Sequence, residues 1–195
     1  MYDASMGLRE QAREAIRGAI AEHALVLFDA KGFDETTVED IAAAAGISSR
    51  SFFRYFPTKE DAVIVDPAGP GLLVRDALAA RPADEVPWQA MRAALQPIVD
   101  IADADPERTL RAMRVIIATA SLRARNLEKH IVWAEMITPV MAARLAAPRG
   151  GDVPAQAVIV AALSCLDVAF AGWIADDGAG SFGDILDLAF ASVGG

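Results

Sequence analysis

Two short amphipathic segments joined by a glycine turn near residue 46 limit the possible folds of this chain more than any other feature. Thr36, with Glu39 three residues later, has the pattern of a capping box, which predicts the start of a helix. Gly46 is placed to end that helix. Ser48 is placed to cap the next helix, which Pro57 stops. Two helices of this length joined by a tight turn predict a helix-turn-helix.

The second of these helices is predicted to have one aromatic face and one polar face. Phe52 and Phe56 are spaced to be buried together, which leaves small hydroxyl groups and arginines on the outer face. Such side chains on an exposed helix suit base edges and phosphates in a major groove. A structural helix pair inside an all-α domain is the alternative interpretation.

The net charge of −9 does not exclude a nucleic-acid partner, because the charge is unevenly distributed. Residues 151–195 contain six Asp and no Lys or Arg. Residues 48–59, in contrast, contain Arg50, Arg54 and Lys59 and no acidic residue. A local basic surface is therefore expected at the second helix of the pair.

The rest of the chain also predicts helices. Aromatic residues amount to 7%, and no long alternation of Val, Ile and Thr is present, which favours helices over sheets. We expect an all-α protein with nine or ten helices. Outside the helix pair, helices are predicted at residues 9–31, from 58, from about 87, from about 105 to 117, and at 126–147, 154–175 and 182–193.

One segment, residues 157–175, is apolar enough to be mistaken for a membrane span. Asp167 lies near its centre, where a charge costs about 2.5–3.5 kcal/mol on membrane-insertion scales. No Lys or Arg flanks the segment closely. We therefore expect a buried or interface helix and no membrane partner.

Features typical of other protein classes are missing from the sequence. The single cysteine, Cys165, excludes an internal disulfide framework and a zinc site with several thiolates. No phosphate-binding glycine loop, metal-ligand spacing or nucleophile elbow is present, so we expect neither an enzyme nor a cofactor or metal. The first residues lack the order of a signal peptide, and we expect a cytoplasmic protein.

Residues 24–61 read ALVLFDAKGFDETTVEDIAAAAGISSRSFFRYFPTKED, and this stretch strongly resembles the DNA-binding region of TetR-family transcriptional regulators. The resemblance runs without a gap from about Arg9 to Val65, and FRYFPTKE is among its most specific parts. The remainder looks loosely like the regulatory domain common in actinobacterial members. The resemblance implies a homodimer, a C-terminal ligand pocket and release of DNA when a ligand binds.

On this resemblance we expect two domains, divided near the Pro and Gly cluster at residues 66–71. Residues 1–65 would form a three-helix, helix-turn-helix DNA-binding domain, and residues 66–195 a helical ligand-binding and dimerisation domain. The expected partners are a double-stranded DNA operator, a small-molecule effector and a second copy of the chain. The dimer axis implies a palindromic operator with each third helix in a major groove.

The resemblance also implies roles for single side chains. Arg50 is expected to read a guanine, with a phosphate contact as the alternative. Thr37 is expected to contact a phosphate. The alternative is that its hydroxyl lies at the start of the helix and does not contact DNA. Tyr55 and Lys59 match phosphate contacts, and Phe53 replaces the Tyr of many members, so an apolar contact is expected there. The predicted DNA-binding residues are Thr37, Ser48, Ser49, Arg50, Ser51, Phe53, Arg54 (or a solvated charge), Tyr55 and Lys59.

Residues with long or flexible apolar side chains between positions 88 and 137 suggest an effector pocket. Methionine is adaptable and polarisable, which suits an apolar or amphipathic ligand of moderate size, with an anionic end as one option. Core packing is the alternative role for each of these residues. The predicted ligand-binding residues are Trp88, Met91, Met113, Ile117, Trp133, Met136 and Ile137.

The last two predicted helices are expected to form the dimer interface. A helix that is apolar nearly all round must be buried on both sides, and small residues such as Gly172 allow close approach of a partner helix. A single buried core helix with a solvated last helix is the alternative. The predicted interface residues are Val158, Ala162, Cys165, Ala169, Trp173, Ile185 and Leu188.

The sequence therefore favours a ligand-responsive transcriptional regulator. Repression is expected only because it is usual among members of the family. One rival is a helical small-molecule-binding protein or enzyme that uses the helix pair only as scaffold. A second rival is an architectural DNA-binding protein whose affinity for DNA ignores small molecules.

Overall fold

The computed structural model describes residues 4–145 and 151–194, and over these ranges the protein is all-α with no strand. The predicted fold class is confirmed. A 3-10 turn at Glu60–Ala62 lies between the third and fourth helices. The helices are α1 (Ala4–Lys31), α2 (Val38–Ala44), α3 (Ser49–Tyr55), α4 (Gly69–Ala79), α5 (Pro87–Ala94), α6 (Gln96–Ala104), α7 (Pro106–Ala118), α8 (Ala120–Leu145), α9 (Val153–Ala175) and α10 (Phe182–Gly194).

Local sequence explains several of these boundaries. Proline occupies the first turn of α4, α5, α6 and α9, where its fixed backbone angle suits a helix and its missing N–H is not needed. Gly32 follows α1 with φ of +90°, and its N–H donates to the carbonyl of Phe28 at 2.9 Å. This is the geometry of a glycine that ends a helix, as the sequence predicts.

The structure adds a helix at the Pro and Gly cluster and corrects two predicted helix boundaries. The Pro and Gly cluster starts a helix, because the Asp66 carboxylate accepts hydrogen bonds from the N–H groups of Ala68 and Gly69 at 3.1 and 2.8 Å. The helix predicted to begin at residue 58 is only the 3-10 turn. Helix α8 begins at Ala120, six residues before its predicted start, and its predicted end near 147 lies outside the described residues.

The described residues form two compact units. The N-terminal unit contains the residues up to Val65 together with Arg114–Arg123. The C-terminal unit contains Asp66–Met113 and the described residues from Ala124 onward. In the N-terminal unit, α2 packs against both α1 and α3. Its core includes the buried rings of Phe28 and Phe52.

Helix α9 contributes many residues to the core of the C-terminal unit. It packs against α5 and α10, and nine of its residues are buried, including Leu163 and Trp173. By length and composition alone α9 could cross a membrane, but Asp167 interrupts its apolar sequence. Its burial in the core of the unit fits the core or interface helix expected from the sequence.

Candidate nucleic-acid interface and ligand cleft

Helices α2 and α3 form the predicted helix-turn-helix. Gly46 adopts φ of +67° in the turn, a conformation that side chains with a Cβ rarely take. Its N–H donates to the carbonyl of Ala43 at 3.1 Å. Ser48 is the N-cap of α3, as predicted, because its Oγ accepts from the N–H of Ser51 at 3.2 Å. The turn therefore fixes the direction in which α3 leaves α2.

The capping box of α2 lies one residue later than predicted. Thr37 is the N-cap, and its Oγ1 accepts from the N–H of Asp40 at 3.1 Å. The Asp40 carboxylate in turn accepts from the N–H and the hydroxyl of Thr37 at 3.0 and 2.9 Å. These two hydrogen bonds lower the pKa of Asp40, and Lys31 adds a smaller effect in the same direction. The predicted pair of Thr36 and Glu39 is wrong.

Thr36 is unsuitable as the N-cap because it is fully buried. Its Oγ1 donates to the carbonyl of Gly32 at 2.7 Å and lies 3.4 Å from the carbonyl of Leu27. A buried hydroxyl needs such partners, because an unpaired one carries a desolvation penalty. Thr36 therefore fastens the loop between α1 and α2 to the end of α1.

The outer face of α3 carries the predicted DNA-reading side chains. Phe52 is fully buried, whereas Phe53 is 54% exposed. Arg50 and Arg54 are exposed, and the Arg54 guanidinium lies 5.3 Å from the centroid of the Tyr55 ring. Within the described residues the Arg50 side chain has no hydrogen bond or ion pair. Arg50 is therefore available to contact a partner without breaking an existing interaction.

The Ser and Thr side chains of this region are less available than Arg50 for contacts with DNA. Ser48 Oγ donates to Ser51 Oγ at 3.1 Å in addition to capping α3. The hydroxyl of Thr37 is committed to Asp40. Ser49 and Ser51 are half-buried, and Ser48 and Thr37 are exposed. A phosphate contact by Thr37 or Ser48 would compete with a helix-capping hydrogen bond.

Lys59 has partners that differ from the predicted phosphate. Its Nζ donates to the carbonyls of Phe33 at 2.7 Å, Thr36 at 3.1 Å and Asp34 at 3.5 Å. The same ammonium lies 4.3 Å from the centroid of the Phe33 ring, within cation–π range. Three donors on three carbonyls use the full donor capacity of the ammonium. In this structure Lys59 therefore holds the loop between α1 and α2.

The structure does not arrange the predicted ligand-binding residues around a common cavity. Met91, Trp133 and Ile137 are buried in the core of the C-terminal unit, which is the alternative role considered for them. Trp88, Met113 and Met136 are partly buried against that core. Ile117 is 37% exposed and belongs to the N-terminal unit. None of the seven residues lines the cleft described next.

A cleft of about 660 Å³ lies between α8 and α9 in the C-terminal unit. Its described walls combine apolar and polar residues. His130 lies in it, 8% exposed, with Nδ1 3.4 Å from a carboxylate oxygen of Asp167. A single charge in an apolar helix is a signal in the sequence for Asp167, whereas no local spacing marks His130. The lining residues are Leu127, His130, Ile131, Ala134, Glu135, Thr138, Pro139, Asp152, Gln156, Val160, Leu163, Ser164 and Asp167.

Most of the predicted dimer residues of α9 are buried within one protomer. Ala162, Cys165, Ala169 and Trp173 are 5% exposed or less and pack in the core of the C-terminal unit, and Val158 is partly buried against it. These side chains are thus largely covered within one protomer, although Cys165 and Ala169 also line the surface described next. Because α9 is apolar on several faces, its sequence did not indicate which face is turned inward.

A different apolar surface is exposed along α9 and α10. Val168 is 64% exposed and Leu188, from the predicted set, is 69% exposed. Ile185, also predicted, is half-buried and lies 3.6 Å from where a Cβ on Gly172 would be. We call this the α9–α10 surface; it is lined by Ala161, Ser164, Cys165, Val168, Ala169, Gly172, Ile185, Leu188, Ala189, Ser192 and Val193.

The described residues contain no cluster of three His, Cys, Asp or Glu that could hold a metal ion. The Cys165 thiol is buried and lies 3.7 Å from the carbonyl of Ala189, to which it can donate a weak hydrogen bond. Burial raises the pKa of this thiol. A thiol with a raised pKa is a poor nucleophile.

Comparisons with known proteins identify the family of this chain. The model for bacterial regulatory proteins of the tetR family matches residues 20–63, and the model for the MftR C-terminal domain matches residues 85–195. The transcriptional regulator MftR of Mycobacterium tuberculosis is 31% identical over 188 residues, covering 90% of this chain and 87% of MftR.

Two further matches extend this comparison. The HTH-type transcriptional regulator TcmR of Streptomyces glaucescens is 31% identical over 144 residues, covering 71% of this chain and 64% of TcmR. In fold, the chain is similar to the TetR-family repressor FadR of Thermus thermophilus, solved in complex with lauroyl-CoA. That structure has a TM-score of 0.56 and 22% identity, with 90% of this chain and 91% of FadR covered.

The two family models together span the helix-turn-helix and most of the C-terminal unit, and the MftR match extends over nearly the whole chain. The chain therefore belongs to the TetR family of bacterial regulatory proteins, as a DNA-binding transcriptional regulator and not an enzyme, with a C-terminal domain of the MftR type.

Proposed function

We propose that this protein is a cytoplasmic repressor that binds a palindromic operator as a homodimer and leaves it when a small molecule binds the C-terminal unit. The outer face of α3 is the observation that carries this proposal. Its exposed Arg50 has no partner within the described residues, and no acidic residue lies between positions 48 and 59. A phosphate backbone attracts such a surface even on a protein with a net charge of −9.

On this proposal, α3 lies in the major groove, and its side chains contact different parts of the DNA. Arg50 reads a guanine through two hydrogen bonds, and Phe53 contacts thymine methyl groups. Ser49 and Ser51 contact base edges or the backbone, and Arg54 and Tyr55 contact phosphates. Thr37 and Ser48 reach phosphates only by sharing their capping hydroxyls. Lys59 supports the interface indirectly, through the loop that it holds.

Two copies are needed because one helix of seven residues reaches few base pairs. We propose that a second copy covers the α9–α10 surface. Its exposed apolar side chains, including Val168 and Leu188, are unusual on the surface of a monomer. Small residues such as Ala161 and Gly172 allow two α9 helices to approach closely. Two α9–α10 pairs would thus form a four-helix interface with twofold symmetry.

The effector is proposed to be an apolar or amphipathic molecule of moderate size. FadR of Thermus thermophilus binds lauroyl-CoA, a ligand with a long apolar chain. In this chain the cleft between α8 and α9 replaces the predicted pocket, because Met91, Trp133 and Ile137 are needed in the core. Its volume of about 660 Å³ is in the range of ligand sites for molecules of drug size.

The test of this function is selection of bound sequences from a random DNA pool with the full-length protein. We expect enrichment of two inverted half-sites with centres about 10 base pairs apart, or a multiple of that spacing. Metabolites are then screened for release of the enriched DNA. Enrichment of no sequence, together with equal competition by bulk DNA, would contradict the proposal and favour the helix pair as scaffold. Release by no small molecule would favour an architectural DNA-binding protein.

A further inference from the structure

Asp167 is the only charged residue of α9, and the structure provides it with two polar partners from α8. Asn126 donates from Nδ2 to one carboxylate oxygen at 3.2 Å. His130 places Nδ1 3.4 Å from the other oxygen. A carboxylate beside an apolar core requires such partners, because its desolvation is unfavourable. The three side chains form a polar cluster in one wall of the cleft between α8 and α9.

The second imidazole nitrogen of His130, Nε2, is unpaired within the described residues. His130 is more than nine-tenths buried, and its Nε2 has no hydrogen-bond partner within the described residues. When the neutral imidazole directs Nδ1–H at Asp167, it presents a lone pair on Nε2. A buried acceptor without a donor is unfavourable, so a donor group entering the cleft would be stabilised at this position.

The charges around the cleft select the sign of that donor group. Glu135, Asp152 and Asp167 line the cleft, and no Lys or Arg is among its described lining residues. Lys129, the neighbouring cation, does not line the cleft; its ammonium lies 4.9 Å from the centroid of the Trp133 ring and interacts electrostatically with Asp167. Three lining carboxylates outnumber this one neighbouring cation, so the cleft still attracts a positive group and repels an anion.

The remaining walls provide an apolar region beside the polar cluster. Leu127 and Ile131 come from α8, and Val160 and Leu163 come from α9. Leu127 and Ile131 are each 59% exposed, although both are large apolar residues. Apolar walls with a few convergent polar groups are typical of small-molecule sites.

We infer that the cleft between α8 and α9 binds an amphipathic amine, with its ammonium group between His130 Nε2 and Asp167 and its apolar part against Leu127, Ile131 and Leu163. The inference rests on the proposed function, because it names the chemical class of the effector. It also replaces the anionic end considered from the sequence with a cationic one.

The test compares three probes with the same apolar chain, namely decylamine, decanol and decanoate, each below its micelle concentration. Binding to the full-length protein is measured by isothermal titration calorimetry without DNA. We expect decylamine to bind at least about tenfold more tightly than decanoate. Decanoate cannot donate the hydrogen bond that the ammonium group makes, and the carboxylates of the cleft repel it. His130→Leu and Asp167→Asn should each reduce that ratio to about threefold or less.

Two further variants keep the test independent of the buried cluster. Leu127 is exposed, so Leu127→Lys and Leu127→Glu should both fold. Both variants lose the same apolar contact, so the sign of the added charge decides the difference, and Leu127→Lys should bind decylamine more weakly than Leu127→Glu does. Glu128→Gln, an exposed residue of α8 outside the lining set, is the control and should bind as the parent protein does.

The outcomes separate this inference from the proposed function. Equal binding of decanoate and decylamine, or decylamine binding unchanged by all cleft variants, overturns the amine site while operator selection can still succeed. Tight and variant-sensitive decylamine binding without any selected operator supports the site and contradicts the repressor. With both in place, decylamine and not decanoate should release the protein from its operator.

Discussion

The ammonium of Lys59 lies 2.7 Å from the backbone carbonyl of Phe33 and over the face of the Phe33 ring. A cation within the basic stretch at residues 48–59 thus holds the loop that precedes α2. Because α2 positions α3, this contact links the packing of the N-terminal unit to the direction of the helix that carries Arg50.

Replacing Lys59 with Met should therefore lower stability and leave the salt dependence of DNA binding unchanged. The variant removes three hydrogen bonds from a charged donor, for an expected loss of about 1–3 kcal/mol in the free energy of unfolding. Urea titration and the slope of affinity against salt concentration measure the two effects. Lys31→Met, at an exposed lysine with an ion pair of 3.8 Å to Asp40, is the control and should cost less than about 1 kcal/mol. A lower salt slope with unchanged stability would restore the phosphate role.

Arg50→Ala should relax base preference at one position of each half-site. The loss of a bidentate contact to guanine corresponds to about 1–3 kcal/mol of discrimination. Sequence selection with the variant, followed by affinity measurements on single-base operator changes, checks this. Arg75→Ala removes a partly exposed arginine of α4 and should leave both affinity and preference unchanged. A loss of affinity equal for all sequences would make Arg50 a phosphate contact.

Asp40 should make the stability of the N-terminal unit depend on pH. Hydrogen bonds from Thr37 hold the pKa of this carboxyl below its ordinary value of 3.8 in the folded protein. Its contribution to stability is therefore fully present above that value and is lost as the pH falls through the lowered pKa. Asp40→Asn should destabilise the protein at pH 7, and the difference from the parent should shrink below about pH 4.

The control for this prediction is Glu39→Gln. Glu39 is exposed and one residue before Asp40, and it is the acid that the sequence assigned to the capping box. Urea titrations at pH 7 and pH 3 should give the same difference between Glu39→Gln and the parent protein at both values. A pH-dependent effect of Glu39→Gln, with none for Asp40→Asn, would support the capping register predicted from the sequence.

The capping box illustrates how far the sequence could specify local structure. Thr36 and Thr37 are both followed three residues later by an acid, so either can start the helix by pattern alone. The choice was made by tertiary packing, which buries Thr36 against the end of α1. Gly32, Gly46 and Ser48 were predictable, because each conformation depends on the residue itself and on its neighbours in sequence.

The cleft between α8 and α9 could be predicted only in part, for a related reason. A single carboxylate in an apolar helix marks Asp167 as unusual in the sequence alone. Its partners Asn126 and His130 lie on another helix, so no spacing along the chain connects them. The Met and Trp residues chosen for their chemistry have the same chemistry that a core requires, and the structure uses Met91 and Trp133 in that way.

Replacing Val168 with Asp should separate the homodimer. Val168 is 64% exposed on the α9–α10 surface, so the substitution adds a charge to a proposed interface without disturbing the core. Sedimentation should show monomers with an unchanged unfolding midpoint in dilute solution. Operator affinity should fall by about a hundredfold or more, because two half-sites are no longer bound together. Val86→Asp, at a residue 54% exposed before α5, is the control and should remain dimeric.

Trp173→Asp provides the contrast that decides which face of α9 is the interface. Trp173 is 2% exposed and packs against Phe182, with ring centroids 5.3 Å apart, so a carboxylate there would be buried without a partner. We expect loss of about 3–5 kcal/mol or more, and therefore unfolding of the C-terminal unit and not a folded monomer. If Trp173→Asp gives folded monomers while Val168→Asp stays dimeric, the face predicted from the sequence forms the dimer. If both variants stay folded and dimeric, the interface lies outside α9.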